Sequence, residues 1–297
     1  MEANKIFHAN CLDILPAVED KSIDCVICDL PYGTAAAAWD KTLPMRDYVI
    51  VRKKQYNYEQ YLLYCYQHDI GYHEAITSFN RNKISGLWTH YERIVKDDGA
   101  IVLFGSEPFS TQLRSSNPKL YKYDWIWKKT TVDGFFNAQC RPLKTIELIS
   151  VFSKSEARAK GKNMRYYPQG LTVVEKQCKE LRQQGTSDGH KYFRDSTDQK
   201  SYVQKFSNYP TETLEFARDS KKMHPTQKPV KLLEYLIKTY TQEGDIILDN
   251  CMGSGSTIIA AVNTNRQYIG IEKDLFYFGI AQARIAETYE RKKLCQR

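Results

Sequence analysis

The chain lacks any run of about 18 consecutive apolar residues, the length a membrane-spanning helix needs. Its start, Met1-Glu2-Ala3-Asn4-Lys5, is followed by polar residues, so the pattern of a secretory signal is missing too. No Gly-Lys-Ser/Thr occurs, which excludes a Walker A loop. The single Cys-x-x-Cys, Cys25 and Cys28, has neither a second pair nor a histidine at zinc-ligand spacing. With Ile23, Val26 and Ile27 around it, it reads as two small residues on a buried strand. These absences lead to the expectation of an intracellular, cytoplasmic protein with reduced cysteines, no membrane partner and no metal.

What is present is a large folding capacity. Apolar residues make up 42% of the 297, and aromatic residues 12%, which excludes intrinsic disorder. The length is near the roughly 250–300 residues at which a single core stops growing, so one large domain with a smaller appendage is expected. The net charge is +8, and its distribution is uneven. Residues 155–222 hold 14 Lys/Arg against 9 Asp/Glu and few long apolar runs, the composition of a separate, polar, basic module.

Short apolar runs bounded by turn residues predict strands at Ile23–Cys28, Ala100–Phe104, Tyr123–Trp127, Thr145–Phe152, Ile246–Leu248 and Tyr268–Ile271. Helical spacing marks Tyr58, Tyr61, Leu62 and Cys65, then 86–95, then Val230, Leu233, Leu236, Ile237 and Tyr240, and a last helix with Phe278, Ala281 and Ile285. Strands alternating with helices through short turns predict an α/β fold, a doubly wound, mostly parallel, Rossmann-like sheet with a smaller inserted module.

Two turns carry chemistry. Asp249-Asn250-Cys251-Met252-Gly253-Ser254-Gly255-Ser256 follows a strand and opens a helix, where glycines allow close backbone approach and free amides favour a polar ligand. Glu272 lies 19 residues after Gly253 at the next strand end, placed to accept from ribose hydroxyls. Ile258 fills the third glycine position of a dinucleotide fingerprint, so a ribose-bearing ligand with a polar tail suits the loop better than a pyrophosphate. S-adenosylmethionine has that form. A plain Gly turn serving helix–strand packing remains the alternative on this motif alone.

The second turn, Asp29-Leu30-Pro31-Tyr32, sits at the carboxyl end of the first strong strand. An exocyclic base amine is a poor nucleophile because its lone pair is delocalised into the ring. A carboxylate and a backbone carbonyl that accept its N–H groups draw the nitrogen toward tetrahedral geometry. Asp29 and the Leu30 carbonyl are suited to that task, Pro31 to fixing the turn, and Tyr32 to stacking on an extruded base. An ordinary strand-end turn is the competing reading.

The first of these turns in chain order, Asp29 to Tyr32, resembles the Asp-Pro-Pro-Tyr motif of amino-methylating DNA methyltransferases. Asp249 to Ser256 resembles their S-adenosylmethionine motif, Asp-x-Phe-x-Gly-Ser-Gly-Thr. His224-Pro225-Thr226-Gln227-Lys228-Pro229 looks like the motif preceding it, and Ile269-Gly270-Ile271-Glu272 like the ribose-binding strand. The order, catalytic motif first and cofactor motif last, is that of the β class. Asp-Leu-Pro-Tyr-Gly-Thr and Leu-Phe-Gly-Ser-Glu-Pro-Phe resemble phage or prophage adenine enzymes. Leu30 replaces the first Pro, Cys251 a Phe and Ser256 a Thr; Asn10-Cys11-Leu12 resembles an adenine-contacting Asp-Cys-Leu with Asn for Asp. Alanines fill 35–38, just past the first turn, where polar residues are the expectation.

The resemblance implies a catalytic half at 1–154 with a Tyr-rich insertion at 45–85, a target-recognition module at 155–222, and a cofactor-binding half at 223–297. It implies S-adenosylmethionine as cofactor, held by Asp249, Asn250, Met252, Gly253, Ser254, Gly255, Ser256 and Glu272, by His224, Thr226 and Lys228, and by Asn10 and Cys11. Lys228 would meet the cofactor carboxylate; a solvated lysine at a helix start is the other reading. Phe135 and Phe136 after Gly134 either touch the flipped base or cofactor, or pack. The partner is double-stranded DNA, contacted by Arg158, Lys160, Lys162, Arg165, Tyr166, Lys191 and Arg194, with phosphates setting affinity; a solvated basic surface is the alternative. A homodimer and a cognate restriction endonuclease follow by analogy only. An acidic first residue such as Asp29 goes mostly with adenine N6 in the β class, and Ser with cytosine N4. The expected activity is methylation of adenine N6 in a specific duplex sequence. Cytosine-N4 or RNA methylation, or a non-catalytic DNA binder, are the alternatives.

Overall fold

The computed structural model describes residues 1–33, 42–158, 161–179, 183–185, 191–193, 201–220 and 223–295, with backbone alone at 178–179, 183–185, 191–193 and 201–202. In chain order the elements are β1 (Lys5–His8), α1 (Cys11–Ile14), β2 (Ile23–Cys28), β3 (Tyr48–Val51), β4 (Lys54–Asn57), α2 (Tyr58–Gln67), α3 (Tyr72–Asn82), α4 (Leu87–Ile94), β5 (Val95–Gly105), α5 (Phe109–Ser116), β6 (Tyr121–Asp133) and β7 (Lys144–Phe152). Then come β8 (Thr172–Lys179), β9 (Gln183–Gly185), β10 (Lys191–Phe193), β11 (Ser201–Ser207), β12 (Thr213–Phe216), α6 (Val230–Tyr240), β13 (Ile246–Asp249), α7 (Ser256–Asn263), β14 (Gln267–Glu272) and α8 (Leu275–Cys295).

Among the described residues one eight-stranded sheet runs in the order β1-β14-β13-β2-β5-β7-β6-β12. Within it β7 alone runs against its neighbours. Both faces are covered, which is why its central strands read as continuous apolar runs rather than alternating ones. Cys25 and Ile27 of β2 point into one core with α6, α7 and α8, whereas Val26 and Cys28 point into the other with α4 and α5. The doubly wound, mostly parallel α/β expectation holds. Cys25 and Cys28 are fully buried, as two small strand residues should be.

The neighbours β2 and β13 sit at the switch point of this sheet. From β2 the chain winds to one side through β5, and from β13 to the other through β14. Cys25 pairs with Ile247 and Val26 with Leu248, in parallel, so the strands end side by side. Asp29 and Asp249 therefore emerge next to each other, where open α/β sheets bind ligands.

Residues 45–85 form an annex with its own small core of Val49, Tyr61, Cys65, Ala75 and Phe79. A β3–β4 hairpin leads into α2 through a capping box, in which Asn57 accepts from the Gln60 amide at 2.9 Å and Gln60 from the Asn57 amide at 3.0 Å.

The chain divides into two compact units: residues 1–167 with 212–297, and residues 168–211. The smaller unit consists of antiparallel pairs, β8 with β11 and β9 with β10. The basic segments 155–167 and 212–222 thus belong to the larger unit, a narrower appendage than the 155–222 read from composition. No helix among the described residues is long and apolar enough to cross a membrane.

Candidate active site

At the carboxyl ends of β2 and β13 lies a cavity of about 540 Å³. Its walls include Asp29, Leu30, Pro31 and Tyr32 from one turn, and Asp249, Asn250, Met252, Gly253, Ser254 and Ser256 from the other. Asn10, Cys11, His224, Thr226, Lys228 and Glu272 also line it. Of the residues singled out for cofactor binding, Gly255 alone is not in the wall. Its backbone is left-handed, at φ +81°, and a Cβ there would lie 3.0 Å from Ala281 Cβ. Gly255 serves the turn and the α7–α8 contact.

The loop geometry follows from local chemistry. Gly253, at φ +51°, donates its amide to Glu272 Oε2 at 2.8 Å, so the acidic residue at the end of β14 pins the turn. The other carboxylate oxygen, Oε1, accepts from the Asp274 amide at 2.7 Å. Asn10 caps α1 by accepting from the Leu12 amide at 3.3 Å. Asn250 Oδ1 accepts from the Tyr91 hydroxyl at 2.6 Å. His224 Nδ1 accepts from the Thr226 amide at 3.2 Å, and its ring stands edge-on to Tyr277 at 4.2 Å.

Lys228 departs from both sequence readings. It is only 7% exposed, and its Nζ donates to Asp29 Oδ2 at 2.6 Å and lies 2.8 Å from Glu147 Oε1. Its charge is therefore spent on two carboxylates rather than on solvent or a cofactor tail. Tyr32 donates its hydroxyl to Asp29 Oδ1 at 2.7 Å and also reaches Glu147 Oε1 at 3.0 Å. Lys129 closes the set, 2.9 Å from Glu147 Oε2. One face of the Tyr32 ring stacks on Phe109, with centroids 4.9 Å apart and planes at 23°.

Glu147 and Lys129 were missed by sequence reasoning. The available signal was a carboxylate inside an apolar strand, Ile146-Glu147-Leu148-Ile149, where a buried charge demands a partner.

Burial and charge set the protonation of this site. Burial disfavours the charge on Lys228, but Asp29 and Glu147 outweigh it and raise its pKa above the usual lysine value. Burial also works against Glu147, yet Lys228 and Lys129 bring it down to about 2. Asp29 moves upward: burial dominates, and the Glu147 charge adds to it despite Lys228. Asp249, with fewer countercharges, is pushed by burial to about 7 against hydrogen bonds from Thr257, the Cys251 amide and Cys28. Glu272 is raised by burial as well. The cavity wall thus holds Asp29, Asp249, Glu272 and Asp274 against Lys228 and Lys273, a surplus of carboxylate suited to a cationic ligand.

The basic residues assigned to DNA divide. Arg158 and Lys162 are exposed. Arg165 is not available to a phosphate: its guanidinium lies 2.8 Å from Asp24 Oδ1, 2.9 Å from Asp98 Oδ2 and 3.0 Å from Asp245 Oδ2. It ties the start of β13 to β2 and β5. Tyr166 lies beside Tyr240, with ring centroids 6.4 Å apart, in the larger unit. Arg165 is a correction, because basic spacing cannot distinguish phosphate partners from carboxylates of the same chain, whereas Tyr166 stays exposed. Lys191 lies on β10, described by backbone alone, and Lys160, Arg194 and Ala35 to Ala38 lie outside the described residues.

The profile of the DNA methylase family matches residues 23–283. The chain belongs to that family. The methylase is 25% identical over 283 residues to the type II methyltransferase M1.MboII of Moraxella bovis, covering 93% of this chain and 94% of that one. Its fold matches the crystal structure of an M1.HpyAVI–SAM complex with TM-score 0.50 and 21% identity, covering 94% and 98% of the two chains. It also matches the PvuII cytosine-N4-specific DNA methyltransferase, with TM-score 0.51 and 15% identity over 98% and 93%. The family is S-adenosylmethionine-dependent, and that is the cofactor of this methylase. S-adenosylmethionine carries a sulfonium and an ammonium against one carboxylate, a net cation, and the carboxylate-rich wall fits it.

Proposed function

We propose that this methylase transfers a methyl group to the N6 amine of adenine in a specific sequence of duplex DNA. The observation that carries the reading is the junction of Asp29 and Asp249 at one carboxylate-rich cavity. Asp249, Asn250, Met252, Gly253, Ser254, Ser256 and Glu272 hold the cofactor, with Asn10, Cys11, His224 and Thr226 around them. Bound there, S-adenosylmethionine supplies an electrophilic methyl group.

The rest of the work falls to the chain. Asp29 and the Leu30 carbonyl accept the two N–H groups of the target amine and localise its lone pair. The Asp29 carboxylate is held in place by Lys228 and the Tyr32 hydroxyl, and those by Glu147, so the acceptor is aimed before the base arrives. Tyr32 is the aromatic residue of the turn that meets the extruded base, with Phe109 stacked on its ring and Lys228 Nζ 5.8 Å from the ring centroid. Exposed Arg158 and Lys162 contribute phosphate contacts.

The acidic residue at the head of the first turn favours adenine. Resemblance in fold to a cytosine-N4-specific enzyme keeps cytosine N4 as the second reading. Duplex DNA incubated with the protein and methyl-labelled S-adenosylmethionine, then digested to nucleosides, separates them. Label in N6-methyladenine supports the proposal, label in N4-methylcytosine replaces it with the second reading, and no label in any duplex overturns both.

A further inference from the structure

Phe136 is fully exposed, at 105% of its reference area, and Phe135 beside it is 69% exposed. A soluble surface rarely leaves two adjacent phenylalanines bare without a use for them. They sit at the tip of the β6–β7 arm, just after Gly134, whose left-handed backbone at φ +92° turns the chain.

The register of the sheet locates this tip. On the active face β5 ends at Gly105, opposite Leu148 of β7. The arm continues past that point, with Asp133 pairing Lys144, and the two phenylalanines lie further out. It therefore projects beyond the carboxyl end of β5, the same end of the sheet at which the cavity lies. The base of the same arm supplies Lys129 and Glu147 to the Asp29 cluster, and Arg218 pairs with Asp133 to brace it. Lys144 reaches back to the Ser106 hydroxyl at 3.2 Å. Of the cations in residues 128–144, Lys128 pairs with Glu215 and Lys129 with Glu147 and Asp133, which leaves the exposed Arg141 and Lys144 on the outer part of the arm. An apolar tip within a cationic arm is matched to a polyanion with an apolar interior.

We propose that Phe136 is a wedge that enters the base stack of duplex DNA and fills the space left by the extruded base. This deepens the adenine-methylation reading and rests on it. Apolar side chains inserted between base steps offset the cost of unstacking. Arg141 and Lys144 approach the flanking phosphates, and the base of the arm, through Glu147, supports the Lys228 and Tyr32 groups that hold Asp29 for the extruded amine. Extrusion and reception are thus served by the two ends of one hairpin.

Modified-base sequencing of DNA from cells expressing the chain first defines the methylated site. A short duplex with that site, and 2-aminopurine at the target position, then reports extrusion by its rise in emission. With the wild type the emission rises several-fold. Phe136→Ala, which removes a fully exposed side chain and leaves the fold intact, should abolish most of that rise. It should lower the methylation rate of the normal duplex by at least about tenfold. A mispaired target, cheap to extrude, should restore most of the lost rate. Tyr66→Ala, at an aromatic 80% exposed on α2, is the control and should change nothing. Emission and rate equal to wild type in Phe136→Ala would overturn the wedge and leave the methylation reading standing. Failure of the wild type to methylate any site would overturn that reading itself.

Discussion

Lys228 Nζ stands 2.6 Å from Asp29 Oδ2, joining residues 199 positions apart in the chain. The contact exists because β13 lies beside β2, and His224, Thr226, Gln227 and Lys228, leading into α6, line the cavity at the ends of both. It holds the carboxylate that the proposed chemistry needs ionised and aimed.

Removing that cation should show in the pH profile. In Lys228→Met, Asp29 loses its countercharge and its pKa climbs further. The acid limb of kcat/KM should then move to higher pH than in the wild type. Activity should be lowest on the acid side and partly recovered as the pH rises. A lysine that only props the fold would lower activity evenly across pH.

Glu147 gives a stability test with a definite sign. Its folded pKa of about 2 lies below the ordinary value of 4.5, so its contribution is present above about pH 4.5 and lost as pH falls toward 2. Glu147→Gln should cost about 3 kcal/mol at pH 7. The gap from wild type should close between pH 5 and 2 in denaturant unfolding. A gap that stays constant with pH would contradict the ion-pair account.

Asp249 behaves in the opposite sense. Its folded pKa of about 7 exceeds the usual 3.8, so it favours the fold below pH 3.8, and that favour is lost as pH rises through 7. A cationic cofactor should bind the ionised form. Affinity for S-adenosylmethionine, measured by calorimetry, should fall by up to about tenfold per unit below pH 7, with proton release on binding. Asp249→Asn should flatten that slope.

Arg165 should act as a clamp of the fold rather than a DNA contact. Arg165→Met leaves buried Asp24 short of a partner and should cost about 3 kcal/mol of stability. The salt dependence of DNA binding should stay unchanged, whereas loss of a phosphate contact would reduce its slope by about one.

The parts of the fold legible in the sequence are those with two faces buried. Ile23–Cys28 and Ile246–Asp249 stand out as apolar runs stopped by turn residues, and so their ends, Asp29 and Asp249, could be placed at one crevice. The edge strands Lys5–His8 and Thr213–Phe216 carry no such signal, being four residues long and mixed in exposure. The end of β6, Lys128–Asp133, is polar and gave no strand pattern although it forms the projecting arm. Among site residues, those within a turn were readable because the turn itself is the signal. Lys129 and Glu147 act across strands, and Lys228 and Arg165 draw their roles from which carboxylates surround them. Side-chain type states that a charge needs a partner, and only the packed sheet states which one.

Asp29 acting on the target amine is the central step of the proposed reaction. The most direct measurement is the single-turnover methylation rate of Asp29→Asn on the mapped duplex, with affinities for duplex and cofactor taken on the same preparation. A rate at least about 100-fold below wild type, with both affinities within about threefold, is the predicted result. A rate within about threefold of wild type would contradict it.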